Sequence, residues 1–229
     1  FVSLNDYRCV IWMLGEESTA DDTLSAAEQA AVNAYLASGK PVSLFVSGAE
    51  VGWDLDYKGT STDKAFMNTA LSATYHADDA NTHSVTGAAG MMFDGLSFSF
   101  GDGTSGAMGD YDVDYPDVLN TSGGSTAVLT YSNGAGAAAT YRESGDTRVL
   151  TVGFPWERIL GVAERNSAMA KALAVLLPDW QAPAEGNGDG GAGNLGGPAG
   201  GCGAVANADA MTLPLLALLL ALLAWRRRD

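Results

Sequence analysis

The chain has 229 residues, of which 47% are hydrophobic and 17% are charged. This composition supports a folded core and excludes a chain that is disordered throughout. The formal net charge of −15 would repel the phosphates of a nucleic acid, so we expect no nucleic-acid partner.

The first fifty residues have the pattern of a β-α-β unit. An apolar strand is predicted over 8–14, and Ser25 and Glu28 have the spacing of a capping box that begins a helix over 26–38. A second apolar strand follows over 41–47. A right-handed crossover makes the two strands parallel and packs the helix on one face of the sheet. The helix face that we expect to be buried consists of Ala27, Ala30, Ala31, Ala34 and Tyr35.

The rest of the domain reads as a short helix, a series of strands and a final helix. The short helix is predicted over about 63–71, and Asn166 is predicted to cap a last helix that ends at Leu177. The last two strands form a hairpin across the turn at 144–146. We therefore predict an α/β fold, a flavodoxin-like sheet with a β-rich second half. Its later strands are predicted over 96–100, 127–131, 137–142 and 148–153.

The C-terminal part has a different composition. Residues 182–203 contain ten glycines and no aromatic residue, which predicts a flexible linker. The membrane-sorting tail, 204–229, contains a predicted hydrophobic helix over about 210–225. Leucine on every face of this helix argues against the alternative, an amphipathic helix of the folded domain. Because arginines stay on the cytoplasmic side, the tail should cross the membrane once with its C-terminus inside the cell. The arginines are Arg226, Arg227 and Arg228.

The order of Gly201-Cys202, hydrophobic run and arginine cluster resembles the MYXO-CTERM type of bacterial C-terminal sorting signal. The resemblance covers residues 200–229 and implies export, anchoring in the cell envelope or at the cell surface, and cutting by a sorting protease near Cys202. The chain begins with Phe1 and shows no signal peptide, so we expect the C-terminal part of a longer precursor. The upstream domains of that precursor would be its partners.

A second resemblance covers about residues 7–177. The turn Ser47-Gly48-Ala49-Glu50-Val51-Gly52 is similar to the G-x-C-x-G nucleophile turn of the class I glutamine amidotransferase-like fold, with Glu50 at the cysteine position. The stretch 152–157 resembles the family's Phe-His-Pro-Glu signature, with Glu157 retained and no histidine. The resemblance implies a divergent amidotransferase-like domain over 1–181, of the kind found in secreted bacterial proteins. Its opening strands are expected to lie outside this chain.

Glu50, Trp53, Asp54 and Asp56 follow a buried strand and form a candidate ligand site. An aromatic ring beside carboxylates can stack on a sugar and bind its hydroxyl groups, so an extracellular glycan or peptide is the expected ligand. The alternative, which the sequence favours slightly, is that Trp53 belongs to the core and the aspartates are solvated.

No metal or other cofactor is expected. His76 and His83 lack metal-ligand spacing and are interpreted as surface residues. A run of alternating aspartates resembles a calcium loop but lacks its central glycine and closing glutamate, and a half-buried strand with a charged outer face is the preferred interpretation. These aspartates are Asp110, Asp112 and Asp114.

Acyl transfer of the amidotransferase type needs an activated thiolate, which a carboxylate cannot replace. We therefore interpret the domain as a non-catalytic accessory or ligand-binding module of an exported protein. The alternative is an extracytoplasmic hydrolase or polysaccharide lyase that uses Glu50 or Glu157, or Asp54, in an acid/base role.

The tail generates a prediction about sorting. Its short apolar run and Pro214 favour temporary retention in the membrane over a permanent span. Deleting 204–229 should release the protein into the medium, and Cys202→Ala should leave it uncut, as judged by fractionation and immunoblotting. Identical fractionation of full-length and deleted forms as soluble cytoplasmic protein would contradict the sorting hypothesis.

Overall fold

The computed structural model describes residues 3–20, 22–104 and 111–179 and shows a mixed α/β fold with a curled mixed sheet. The helices are α1 (Ala26–Leu36), α2 (Ser61–Thr69) and α3 (Val162–Leu176), with a π-helix at Trp53–Lys58 and short 3-10 turns at Leu4–Asp6 and Trp156–Arg158. The strands are β1 (Cys9–Gly15), β2 (Val42–Gly48), β3 (Ala73–Ala77), β4 (Ser84–Gly87), β5 (Ser97–Ser99), β6 (Val118–Thr121), β7 (Thr126–Tyr131), β8 (Ala137–Ser144) and β9 (Thr147–Val152).

The sheet is parallel on one side and antiparallel on the other. β1, β2 and β9 are parallel neighbours, with β2 between the other two. From β9 the order continues through β8, β7, β4 and β5, all antiparallel. β6 pairs with both β8 and β3, which adds a branch to the sheet. The predicted parallel pairing of the first two strands is therefore confirmed, as is the hairpin of the last two.

The sheet separates two apolar clusters. Every residue of β2 is buried, as expected for a strand covered on both faces. On one face, Val32 and Tyr35 of α1 pack with Leu44 and Val46 of β2. On the other face, Met169 of α3 belongs to a larger cluster that includes several aromatic rings in mutual contact. Those rings belong to Phe45, Phe93, Phe98, Phe100, Phe154 and Trp156.

The buried face of α1 differs from the predicted one. Tyr35 is buried as predicted, together with Gln29 and Val32, whereas Ala27, Ala30, Ala31 and Ala34 are exposed. Val32 and Tyr35 remove more apolar surface from water than the alanines would, and this difference sets the rotation of the helix. The buried Gln29 side chain is satisfied because its amide donates to the Leu24 carbonyl and to Asp63.

Two other local expectations need correction, and one element was not predicted. A helical turn does follow Gly52, where the sequence shows no helix signal, and it is the π-helix. α3 begins at Val162 with Gly161 before it, so Asn166 lies inside the helix and does not cap it. Residues 111–115 make only an isolated bridge, between Asp112 and Asp102, in place of the expected strand.

The linker 182–203 and the tail 204–229 lie outside the described residues. Within 3–20, 22–104 and 111–179, no helix is both long enough and apolar enough to span a membrane.

The capping box at the start of α1 supports a stability prediction. The Ser25 hydroxyl accepts from the Glu28 backbone N–H, and Glu28 accepts from the Ser25 backbone N–H. Ser25→Ala should lower the free energy of unfolding by about 1 kcal/mol, because it leaves that N–H without its partner. Ser167→Ala, an exposed change inside α3, is the control and should be neutral or slightly stabilising in urea titrations. Equal stability of the two variants would contradict the cap.

Candidate functional site

The candidate site lies where the three parallel strands end. Glu16 follows β1, Glu50 follows β2 by two residues, and Glu157 follows β9 by five. The carboxyl ends of parallel neighbours meet at one edge of a sheet, which is where α/β folds bind ligands. The fold therefore brings to one edge the two carboxylates, Glu50 and Glu157, that the sequence singled out.

A buried aspartate fixes the backbone beside Glu50. Asp117 is fully buried, and its Oδ2 accepts from the Gly52 backbone N–H at 2.5 Å. The Trp53 backbone N–H donates to Asp117 Oδ1 at 3.2 Å. Burial raises the pKa of Asp117 well above its usual value, and the two N–H donors offset part of that rise. Asp117 thus caps the start of the π-helix and holds it against the sheet.

Asp54 and Asp56, which belong to the same π-helix, bind it to two other parts of the chain. Asp54 Oδ2 accepts from the backbone N–H and the hydroxyl of Thr23, at 3.0 and 2.7 Å. Asp56 Oδ2 accepts from the Tyr75 backbone N–H at 2.7 Å. These two members of the predicted ligand set are therefore engaged within the protein by one oxygen each, and they are not simply solvated.

Trp53 lies in an aromatic trio, which we define as Trp53, Tyr57 and Tyr75. The Trp53 and Tyr57 rings stack with centroids 4.5 Å apart, and Tyr75 lies 5.3 Å from Tyr57. The Lys58 ammonium lies 5.0 Å from the centroid of the Trp53 ring. Tyr57 is 55% exposed and Trp53 is half-buried, so the trio is part of the surface and Trp53 is not a core residue.

Glu50 is half-buried, and its hydrogen bonding is weak. Its hydrogen-bond partner is the Ser18 hydroxyl, which donates to Oε2 at 3.3 Å. Burial, together with the negative charges of Asp78, Asp54 and Glu16, raises the pKa of Glu50 to about 7. A carboxyl with this pKa exists in both protonation states near neutral pH. It can donate or accept a hydrogen bond to a ligand.

Carboxylates around Glu50 also influence Tyr75, a member of the aromatic trio. Burial raises the pKa of the Tyr75 hydroxyl to about 12, with contributions from Asp78, Asp117, Tyr57 and Glu50. Asp78 therefore acts on both Glu50 and Tyr75. The aromatic trio and Glu50 therefore lie near the same carboxylate.

Glu157 is more deeply buried than Glu50. Its Oε1 accepts from the Tyr111 hydroxyl at 3.3 Å, while Oε2 is buried without a hydrogen-bond partner. Burial raises the pKa of Glu157 above its ordinary value. A neutral acid at this position could act as a hydrogen-bond donor or a general acid.

Among the residues that the structure describes, no histidine or cysteine is hydrogen-bonded to Glu50 or Glu157. His83 Nε2 lies 3.1 Å from Asp112 Oδ1, and His76 is exposed on β3. Cys9 begins β1, at the opposite end from the site, and burial raises its pKa to about 12. No thiolate–imidazole pair of the amidotransferase type is therefore formed by these residues.

Within 3–20, 22–104 and 111–179, no group of three or more His, Cys, Asp or Glu side chains is arranged to hold a metal ion. Asp110 of the aspartate run lies outside the described residues. Asp112 contacts His83, and Asp114 donates its backbone N–H to Glu16 Oε1 at 2.9 Å.

Sequence reasoning did not find four of the residues that shape the site. Asp117 comes from a distant segment before β6, and no local pattern links it to Gly52. Ser18, Tyr57 and Tyr75 likewise join the site through tertiary contacts. The spacing of Trp53 and Tyr57, four residues apart, was the one available signal, since residues four apart share a helix face.

No family model and no curated protein matches this chain. Among solved structures, an exo-β-1,4-mannosidase from Opitutaceae bacterium strain TAV5 aligns at 13% identity and a TM-score of 0.45, over 77% of this chain and 26% of the mannosidase. A cytoplasmic protein from Salmonella typhimurium aligns at 9% identity and a TM-score of 0.46, over 75% of this chain and 72% of that protein. The chain thus spans about a quarter of the mannosidase.

The raised pKa of Glu50 predicts a pH-dependent stability. The folded pKa of about 7 exceeds the ordinary 4.5, so the folded protein holds a proton that the unfolded chain releases. This contribution is fully present below about pH 4.5 and is lost as the pH rises through about 7. Glu50→Gln should therefore raise the melting temperature relative to the wild type at about pH 8 more than at about pH 5. The measurement is thermal unfolding of both proteins across this range, and an equal difference at both pH values would contradict the assignment.

Proposed function

We propose that residues 1–181 form a non-catalytic, ligand-binding module with a divergent class I glutamine amidotransferase-like fold, and that its ligand is an extracellular glycan. The observation that carries this proposal is the aromatic trio beside Glu50, held at the carboxyl edge of the parallel strands. The parallel order β1, β2 and β9, with α1 and α3 on opposite faces, supports the resemblance in fold.

A glycan suits the chemistry of this surface. The rings of the trio can pack on the apolar face of a sugar, as aromatic side chains do in concave binding sites. Glu50 and Asp78 supply oxygens for the hydroxyl groups, and Glu50 can change its protonation state to match a donor or an acceptor. Three aspartates hold the π-helix in place, so little conformational entropy is lost when the ligand binds.

The position equivalent to the nucleophile supports a non-catalytic role in glutamine chemistry. Glu50 occupies it, with a serine hydroxyl as its partner and no histidine base. A carboxylate there cannot form a thioester with glutamine. The module would serve the other domains of an exported protein by holding them on their substrate.

The location follows from the C-terminal tail. We propose an exported protein of the cell envelope or cell surface, held by the hydrophobic run before Arg226 and processed near Cys202. The acidic surface of the domain is compatible with an extracytoplasmic site, where it also keeps the protein soluble.

The alternative function is an extracytoplasmic glycan hydrolase or lyase. The observation that favours it is the pair of carboxyls with raised pKa values, Glu50 and Glu157, at one edge of the sheet. Perturbed carboxyl groups are common at catalytic sites, and a neutral Glu157 could act as the general acid.

Binding can be tested through Tyr57. Tyr57→Ser removes one exposed ring of the trio and should weaken binding of bacterial envelope glycans by about tenfold, with little change in the melting temperature. Tyr7→Ser is the matched control, since Tyr7 is 49% exposed and lies before β1, at the other end of the parallel strands. Equal affinities of both variants and the wild type, measured on a glycan array and by calorimetry, would contradict the proposed ligand surface.

An assay of turnover distinguishes the non-catalytic function from the enzymatic one. The full chain should release no ammonia from glutamine and no reducing or unsaturated ends from a glycan that it binds. Product formation that Glu50→Gln or Glu157→Gln abolishes, with binding retained, would establish the hydrolase or lyase function and refute the non-catalytic one.

A further inference from the structure

The aromatic trio already holds a cation that belongs to the protein itself. The Lys58 ammonium lies 5.0 Å from the centroid of the Trp53 ring and 5.6 Å from that of the Tyr57 ring. Both distances are within the roughly 6 Å over which an aromatic ring attracts a cation. Within the described residues, Lys58 forms no ion pair with a carboxylate, so the two rings hold its ammonium.

A ligand can take the place of this ammonium. Lys58 is exposed and is the last residue of the π-helix, so its flexible side chain can move into water. A cation–π contact at an exposed site contributes little free energy, because water competes for the ammonium. The same contact is stronger for a cation that a ligand buries against the rings. The trio is therefore suited to a cationic group that arrives with a ligand.

The carboxylates near the trio lack a matching positive charge. Asp78 acts on both Glu50 and Tyr75, and the charges that raise the pKa of Glu50 are those of acidic neighbours. Burial and the charge of Asp79 raise the pKa of Asp78. Within the part of the chain that the structure describes, no lysine or arginine forms an ion pair with Glu50 or Asp78. A positive charge brought by a ligand would relieve this repulsion.

The donors around Glu50 are used within the protein. The Ser18 hydroxyl donates to Glu50 itself. The N–H groups of Gly52 and Trp53, at the start of the π-helix, donate to the carboxylate of Asp117. Asp117 thus occupies the place where a helix start would otherwise receive an anion. An anionic ligand would meet carboxylates there without these backbone donors, so the site disfavours it.

Glu157 adds a carboxylate oxygen that has no donor. Its Oε2 is buried and has no hydrogen-bond partner within the described residues. Glu157 lies beside the turn that carries Glu50, since a Cβ added to Gly15 would lie 3.6 Å from Glu157 Oε1. The Gly15 carbonyl in turn accepts from the Ala49 backbone N–H, next to Glu50. Acceptors therefore outnumber donors at this edge of the sheet, and a ligand rich in donors would correct the imbalance.

We propose that the glycan recognised at this site is built from amino sugars with free amines, whose ammonium groups displace Lys58 from the aromatic trio and pair with Glu50 and Asp78. This inference rests on the proposed glycan-binding function and names the class of its ligand. An ammonium supplies three donors and a positive charge, which are what the site lacks. The rings of the trio still pack on the apolar face of the sugar. Acetylation of the amine removes the charge, so the N-acetylated sugar is the matched neutral ligand.

Calorimetry with two oligosaccharides of equal length tests the proposal on the full chain in a mild detergent near neutral pH. One is a hexasaccharide of glucosamine, and the other is the corresponding hexasaccharide of N-acetylglucosamine. The glucosamine hexasaccharide should bind about tenfold or more tightly, because it alone pairs with the carboxylates. Its affinity should fall as the salt concentration rises from about 0.05 to 0.5 M, whereas that of the neutral hexasaccharide should not.

Variants connect the preference to individual residues. Glu50→Gln removes a charge with little change in shape and should weaken binding of the glucosamine hexasaccharide by about tenfold. Lys58→Gln removes the competing ammonium and should tighten the same complex. The controls are Asp146→Asn and Lys40→Gln, which make the same charge changes at exposed positions before β9 and β2, at the other end of the parallel strands. Both controls should leave the affinity unchanged.

The outcomes separate this inference from the glycan-binding function. Equal affinities for the two hexasaccharides, both weakened by Tyr57→Ser, would overturn the amino-sugar inference and leave the glycan function standing. So would binding of neither by a protein that still binds another glycan through Tyr57. A chain that binds no glycan at all would refute both. Weaker binding of the glucosamine hexasaccharide by Lys58→Gln, or equal effects of Glu50→Gln and Asp146→Asn, would also overturn the inference.

Discussion

The carboxylate of Asp117 accepts two backbone N–H groups at the start of the π-helix, and the rest of the site depends on that contact. The π-helix follows a strand that is buried at every position, so its first N–H groups cannot turn to water. An acceptor must come from elsewhere in the chain, and the segment before β6 supplies it. Tyr131 strengthens the arrangement, because its hydroxyl donates to the carbonyl of Asp117. With this cap in place, Trp53 and Tyr57 are held at the surface in a fixed orientation.

The carboxylates near the edge of the sheet divide into two groups by their hydrogen bonds. Asp54, Asp56 and Asp117 accept backbone N–H groups at 2.5 to 3.3 Å and hold the π-helix. Glu50 and Glu157 each have one hydroxyl donor at 3.3 Å, and their pKa values are raised. Burial raises the pKa of Asp117 as well, but its backbone N–H donors offset part of that rise, whereas Glu50 and Glu157 each have a single hydroxyl donor.

Local patterns predicted much of this fold. The capping box at Ser25 and Glu28, the parallel pairing of the first two strands and the final hairpin all depend on residues near one another in the chain, and all three are found. The prediction that the alanines of α1 are buried was wrong, because helical spacing alone does not reveal which of two helix faces carries the larger side chains to bury. The predicted cap of α3 was also wrong. Asn166 is a residue type that often caps helices, but tertiary packing extends the helix back to Val162, so Asn166 lies inside it.

The site was less predictable than the fold, and the reason is physical. Glu50 and Trp53 could be found because they follow a recognisable strand, but their chemistry depends on residues that only the folded chain brings near. The pKa of Glu50 is set by burial and by Asp78, which lies 28 positions away in the sequence. The orientation of Trp53 is set by Asp117, which is 64 positions away. Both partners are aspartates in segments without a distinctive local pattern, so the sequence alone does not identify them as residues of the site. The proposed ligand-binding role of Glu50 therefore depends on the tertiary structure, in which Glu50 has a single hydroxyl donor and the aspartates that hold the π-helix accept backbone N–H groups.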